Sequence, residues 1–231
     1  MSCKKSNIET DMKIVYLAGL FTVLLGSSAA VLAEPQLYET GPSEVSSYVR
    51  FVNATDAALE ITAAKGAKIA LSAAADGRAS RFFTVKSGVK LTANVLSNGR
   101  KTMVEVSGKP WEYITVAILP GDAAKLKTQL VRETPDDFNA MRASVSLFNL
   151  DASCAAATLQ GGAKSATILE GVKPYTVQRR LINPVKLSAS ARCGEPPAEV
   201  DLGQLEAGGR YSVFLMNLKK TRQAWFVRDA N

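Results

Sequence analysis

The chain has 231 residues, a formal net charge of +7 and no histidine. The missing imidazole excludes Ser-His-Asp and Cys-His nucleophilic catalysis, where histidine is the general base, and it excludes His-ligated zinc or iron centres. There is no glycine-rich phosphate loop and no calcium-loop pattern, so no cofactor or metal is expected.

The first recognisable element starts at Met12-Lys13. An apolar run from Ile14 to Leu25 follows, then small residues, then Val31-Leu32-Ala33 before Glu34-Pro35. A charged start, an apolar stretch of about a dozen residues and an A-x-A-like site are the three parts of a secretion signal. The run is too short for the ~20 residues of a membrane span. Residues 1–33 are therefore expected to leave, with Cys3 among them. The mature chain, from Glu34 to Asn231, is expected in the periplasm with no stable membrane insertion. It keeps 25 basic and 19 acidic residues, a net of +6. That balance suits an acidic polysaccharide, a phospholipid surface or an acidic protein face, and in that compartment not nucleic acid.

Next in the chain, Glu34 to Glu44 reads as an arm. Tyr48, Arg50 and Val52 then alternate with Val49, Phe51 and Asn53, the period of two of a strand. Further short runs rich in Val, Ile, Leu and Phe cover Leu59-Ile61, Ala67-Leu71, Ser80-Val85, Lys90-Val95, Thr102-Val106, Tyr113-Leu119 and Thr128-Arg132. Turn signals separate them, and Asn98-Gly99 is a two-residue hairpin signal. Ala73-Ala74-Ala75 is too short for a stable helix. Thr134-Pro135-Asp136-Asp137 reads as a polar connection; two adjacent carboxylates on an extended segment point apart, a poor acid–base pair.

After that connection the sequence repeats itself. YVRFVN from Tyr48 returns as SVSLFN from Ser144, GVKLTA from Gly88 as PVKLSA from Pro184, and LVRE from Leu130 as FVRD from Phe226, all at an offset of 96. YITVAIL from Tyr113 matches YSVFLM from Tyr211 after a shift of two residues. The chain is thus expected to be all-β, a tandem of two β-sandwich domains of immunoglobulin-like or carbohydrate-binding-module-like type. The boundaries expected are 34–134, a linker at 135–138, and 139–231.

Cys154 and Cys193 remain after export, and an even pair in an oxidising compartment reads first as a disulfide. Closing 39 residues contributes roughly 3–4 kcal/mol in the chain-entropy model. The counterparts at the offset are Ala58 and Ser97, so only the second repeat is cross-linked.

Candidate binding residues are basic and aromatic. Arg179-Arg180 precedes the PVKLSA strand, Arg78 and Arg81 lie in the related region of the first repeat, and Lys219-Lys220 with Arg222 sits in a late hairpin turn. Arginine matches a carboxylate with two parallel hydrogen bonds. Trp225 and Trp111 are candidate stacking platforms for a sugar ring. Solvated turns for the charged clusters, and core or domain-interface packing for the tryptophans, account for the same residues more readily than binding does. Serine and lysine are plentiful, but no Ser-Lys pair stands out.

LYETGP (Leu37 to Pro42), SYVRFVNAT (Ser47 to Thr55) and INPVKLSAS (Ile182 to Ser190) in an exported chain of this length resemble the alginate biosynthesis protein AlgF family. The resemblance covers the whole mature chain, with the cysteine pair outside the pattern. It implies a periplasmic, non-catalytic adaptor of exopolysaccharide O-acetylation, alginate first. Its partners would be periplasmic and membrane O-acetyltransferase subunits, with an anionic polysaccharide as a further partner. Two other expectations compete: a polysaccharide-binding module, and a pilus-type periplasmic chaperone. The chaperone needs a long apolar edge strand, whereas Arg100 to Val106 is short and carries Arg100, Lys101 and Glu105.

Overall fold

The computed structural model describes residues 45–63, 66–122, 125–135, 139–162 and 164–229. The secretion signal, the LYETGP arm and Asp136-Asp137 lie outside the described residues.

The described residues form sixteen strands and one short 3-10 turn (Ala75–Gly77). The first half holds β1 (Ser46–Asn53), β2 (Leu59–Ala63), β3 (Lys68–Leu71), β4 (Phe83–Lys86), β5 (Leu91–Ser97), β6 (Arg100–Val106), β7 (Tyr113–Leu119) and β8 (Lys127–Glu133). The second holds β9 (Ala143–Asn149), β10 (Ala157–Gly161), β11 (Ala166–Val172), β12 (Val177–Ile182), β13 (Lys186–Arg192), β14 (Ala198–Gln204), β15 (Arg210–Leu218) and β16 (Thr221–Asp229). The sheets run β4-β1-β7-β8 and β3-β2-β5-β6 in the first half, β12-β9-β15-β16 and β11-β10-β13-β14 in the second. Strand n therefore matches strand n+8 throughout. Each half is a β-sandwich with the same topology, including one parallel pair, β1 with β7 and β9 with β15. The repeat read from the sequence is a repeat of structure.

Strand register refines one alignment. Tyr48 pairs with Tyr113 and Ser144 with Arg210, so Tyr113 corresponds to Arg210, a shift of one residue rather than two. The Asn98-Gly99 signal closes the hairpin of β5 and β6, with both residues at positive φ (47° and 76°), as a type I′ turn requires. The fourth strand starts later than its pattern suggested. Ser80 to Phe82 is outside the ladder because the Ser80 hydroxyl accepts the Phe51 N–H (3.0 Å) and the Ser80 N–H goes to the Phe51 carbonyl (2.9 Å).

Three apolar layers hold these sheets. Val49, Phe51, Ile61, Val95, Ile114, Val116 and Ile118 belong to the first sandwich core. Val145, Leu147, Leu159, Val213 and Leu215 belong to the second, which also contains Cys154. A third layer joins the halves: Val52, Ala54, Ala117, Leu119 and Val131 from the first pack against Phe148, Leu150, Phe214, Met216, Leu218 and Trp225 from the second. Small and branched side chains on one sheet accept bulky aromatic ones from the other. This layer explains why β9 is buried at every position and why β1 and β7 are buried over most of their length. One face of each lies in its own sandwich and the other lies against the opposite half.

Candidate functional site

The layer between the halves captures several of the residues that the sequence offers for binding. Arg50 is 1% exposed. Its Nη1 donates to Asp229 Oδ1 (2.5 Å), its Nε to the Thr115 hydroxyl (2.9 Å) and its Nη2 to the Ser212 hydroxyl (3.0 Å). Phe82, Phe148 and Phe214 surround the guanidinium at 4.4, 5.0 and 5.1 Å from their centroids. Burial pulls its pKa below the ordinary arginine value, with Asp229 and Glu133 opposing. Arg179 mirrors this pair from the other side. Its guanidinium reaches both oxygens of Glu133 at 2.8 Å and donates to the Ser144 hydroxyl (2.9 Å). Glu133 and Asp229 are repeat counterparts in LVRE and FVRD, so each half offers the same carboxylate to an arginine of the other.

Arg179 is consequently a brace between halves, not a free polymer-binding cation. Trp225 is corrected too. It is 4% exposed and stacks on Phe214 at 4.4 Å, because that side of β16 faces the first half; it cannot carry a sugar ring. Arg78 is 6% exposed and its Nη1 donates to the carbonyls of Asn53 and Thr55 (2.9 and 2.8 Å), closing the corner after β1. Burial lowers its pKa, with Asp56 opposing. Arg222 Nε donates to Asp151 Oδ2 (2.9 Å). Burial pushes the Asp151 carboxyl up, but bonds from the Ser153 hydroxyl and N–H and from Arg222 outweigh it and hold the group below the usual carboxylate range.

The remaining candidates are exposed but scattered. Arg81 lies before β4, and Arg180 reaches from β12 to the Ile168 carbonyl of β11 (3.1 Å). Lys219 and Lys220 form the β15–β16 turn, both at positive φ (52° and 66°), and Lys219 meets Asp56 of the first half at 2.8 Å. Trp111, the other candidate platform, is 61% exposed, and the structure does not bring the nine basic and aromatic candidates together into one surface. Cys154 and Cys193 form the disulfide, with Cα atoms 5.7 Å apart. At the corresponding place in the first half the Ser97 hydroxyl donates to the Ala58 carbonyl (2.8 Å).

A concave site does exist on the outer face of the β11-β10-β13-β14 sheet, with a volume of about 450 Å³. Its central strand, β13, presents Lys186, Ser188, Ser190 and Arg192 outward, while Gln160 and Glu199 flank Ser190 across the ladder. Short serines between longer neighbours leave the depression. Ser188 donates to Asp201 Oδ1 (3.1 Å), Arg192 Nη1 to Glu195 Oε1 (2.6 Å), and Arg192 Nε is buried with no hydrogen-bond partner. Hydroxyls, an amide, two cations and a carboxylate are groups that recognise a hydroxyl-bearing ligand. In the first half the same positions of β5 carry Lys90, Thr92, Asn94 and Leu96, with Leu96 standing 44% exposed. The sandwich therefore does not require the serines. The sequence signal for this site is the outward set of INPVKLSAS, a segment that in the sequence marks a strand and the family resemblance but no binding residue.

Among the described residues there is no group of three or more His, Cys, Asp or Glu placed to hold a metal, and no helix is long and apolar enough to cross a membrane. No protein-family model matches the chain, and no curated protein matches it. Solved structures that align with it include a candidate cell adhesion protein from Bacteroides uniformis, at 9% identity and a TM-score of 0.28, over 82% of this chain and 99% of that one. Another, from Bacteroides eggerthii, aligns at 10% identity and a TM-score of 0.21, over 81% of this chain and 98% of that one. Alignments this loose say nothing about what the chain does.

Proposed function

We propose that the chain is a periplasmic, non-catalytic accessory protein for O-acetylation of an exopolysaccharide, alginate first. It would act by holding acetyltransferase subunits and by touching the polymer. The observation that carries this reading is that Lys186, Ser188 and Ser190, the outward residues of the AlgF-like INPVKLSAS segment, line the cleft of the second half. A disulfide-linked chain fits an oxidising compartment. With no histidine anywhere in the sequence, acyl transfer is assigned to partner subunits. Two sandwiches locked by buried ion pairs make a stiff body, which suits a part that positions others.

In-frame deletion tests the proposal. Polymer should still be secreted but with its O-acetyl esters lost, read by proton NMR of the purified polysaccharide. Unchanged acetylation would refute it. The cleft itself favours a second reading, a polysaccharide-binding module. In that case Ser190→Trp, which fills the depression from the solvent face, should abolish binding of the purified polymer, and acetylation should persist in the deletion strain.

A further inference from the structure

Seven large apolar side chains stand exposed among the described residues, and five of them share one end of the molecule: Val45 (42%), Val89 (54%), Trp111 (61%), Met141 (78%) and Val185 (47%). They lie at the starts of β1, β5, β7, β9 and β13. The two halves present these ends together, since Arg210, first in β15, lies over the ring of Tyr113, first in β7, at 5.7 Å. Two pairs are repeat counterparts at the offset of 96, Val45 with Met141 and Val89 with Val185. An exposed apolar residue kept at the same place in both halves is a property of this end, not an accident of one loop.

Trp111 adds a separate argument. Its φ is +62°, a conformation that bulky residues rarely adopt and that costs stability. The corresponding turn of the second half has Gly208 at φ +72°, and the hydrogen bonds correspond: Trp111 N–H to the Ser46 carbonyl (2.8 Å), Gly208 N–H to the Arg142 carbonyl (3.0 Å). A glycine serves the turn. The first half instead holds a strained indole that stays 61% exposed and so gains little from burial.

The surrounding charge is basic. Lys86, Lys90, Lys109 and Lys186 are exposed around these side chains, and among the described residues Glu105 there pairs with Lys90, Glu112 with Arg132 and Glu206 with Arg228. Of these six exposed cations, Arg132 and Arg228 are each held by a carboxylate and the other four are lysines. Protein interfaces are depleted of lysine and enriched in arginine, whereas a tryptophan among lysines is the composition of the lipid headgroup region, with the indole at the interface and long stems carrying their charge outward.

We infer that this end adsorbs to an anionic phospholipid surface, with Trp111 and its apolar neighbours at the headgroup boundary and the lysine rim on lipid phosphates. This is peripheral binding without a spanning segment, and it stands whether or not the acetylation reading holds.

Trp111 and Trp225 are the only tryptophans in the sequence, and Trp225 is buried, so a change in emission on vesicle binding reports on Trp111. The exported chain, purified from periplasm, should co-sediment with vesicles of phosphatidylglycerol in phosphatidylethanolamine and show a blue shift in emission. It should bind phosphatidylcholine vesicles far more weakly, and salt should release it. Trp111→Gly copies the sister turn, so its melting temperature should not fall, yet vesicle affinity should drop by at least about tenfold. Val185→Ser, with the tryptophan intact, should weaken binding less. Failure of the wild type to bind the anionic vesicles, or equal binding by Trp111→Gly, overturns the inference. So does a Trp111→Gly variant that loses a protein partner where the wild type ignores lipid.

Discussion

Asp229→Ala should be among the most damaging single changes in the chain. Arg50 is 1% exposed and the Asp229 side chain 6%, at an N–O distance of 2.5 Å. Removing the carboxylate leaves the guanidinium with the Thr115 and Ser212 hydroxyls, three aromatic rings and no carboxylate bonded to it, the nearby Glu133 being held by Arg179. Stranding one member of a buried pair costs about 3–5 kcal/mol. For a body of this size that lowers the melting temperature by roughly 10 °C. Arg50→Met alone strands Asp229 in the same way. The double variant Arg50→Met/Asp229→Ala removes both charges, and the methionine can occupy the slot between Phe82, Phe148 and Phe214. Its loss should be well below the sum of the singles, giving a coupling of about 2 kcal/mol or more. Urea unfolding of the three variants and the wild type reads this directly. A single-variant cost under about 1 kcal/mol, or strict additivity, would refute the claim that the halves are locked by a dry ion pair.

Four further outcomes follow from the same contacts. Trp225→Ala should cost about 3–5 kcal/mol by opening the layer between the halves, while Trp225→Phe should cost little, because the indole N–H has no acceptor; thermal melts separate the two. Cys193→Ser should destabilise the chain by roughly 3–4 kcal/mol, measured by urea unfolding without reductant. Lys219→Asn/Lys220→Gly should raise the melting temperature, read by thermal melts, since both turn positions have positive φ and the Lys219–Asp56 pair is solvent-screened. The Asp151 carboxyl titrates below its unfolded value, so its contribution is present above about pH 4 and is lost as pH falls through the folded pKa; Asp151→Asn should flatten that part of the acid limb in a stability–pH series.

Local signals in the sequence carried the local structure. Asn98-Gly99 demanded a hairpin because both residues accept positive φ, and the offset of 96 announced a duplicated sandwich that the strand order bears out. The cysteine pair announced the disulfide. The partners of Arg50 and Trp225 were hidden for one reason. Tyr48, Arg50 and Val52 look like the outward face of an ordinary strand, and the groups that bury them stand up to 179 residues away. The basic flank of Trp225 looks like surface for the same reason: Arg222 is spent on Asp151, and β16 presents the ring to the other half. Alternation reports which residues share a face, not what covers it. The cleft was hidden because serines on a strand read as ordinary polar positions; only comparison with Thr92, Asn94 and Leu96 of the sister strand shows that the fold does not need them.

Affinity co-purification of the tagged, exported chain from native periplasmic and membrane extract, with partners identified by mass spectrometry, tests the adaptor account most directly. The account predicts recovery of an acetyltransferase subunit in amounts comparable to the bait. Recovery of exopolysaccharide or of pilin-like subunits with no transferase would contradict it.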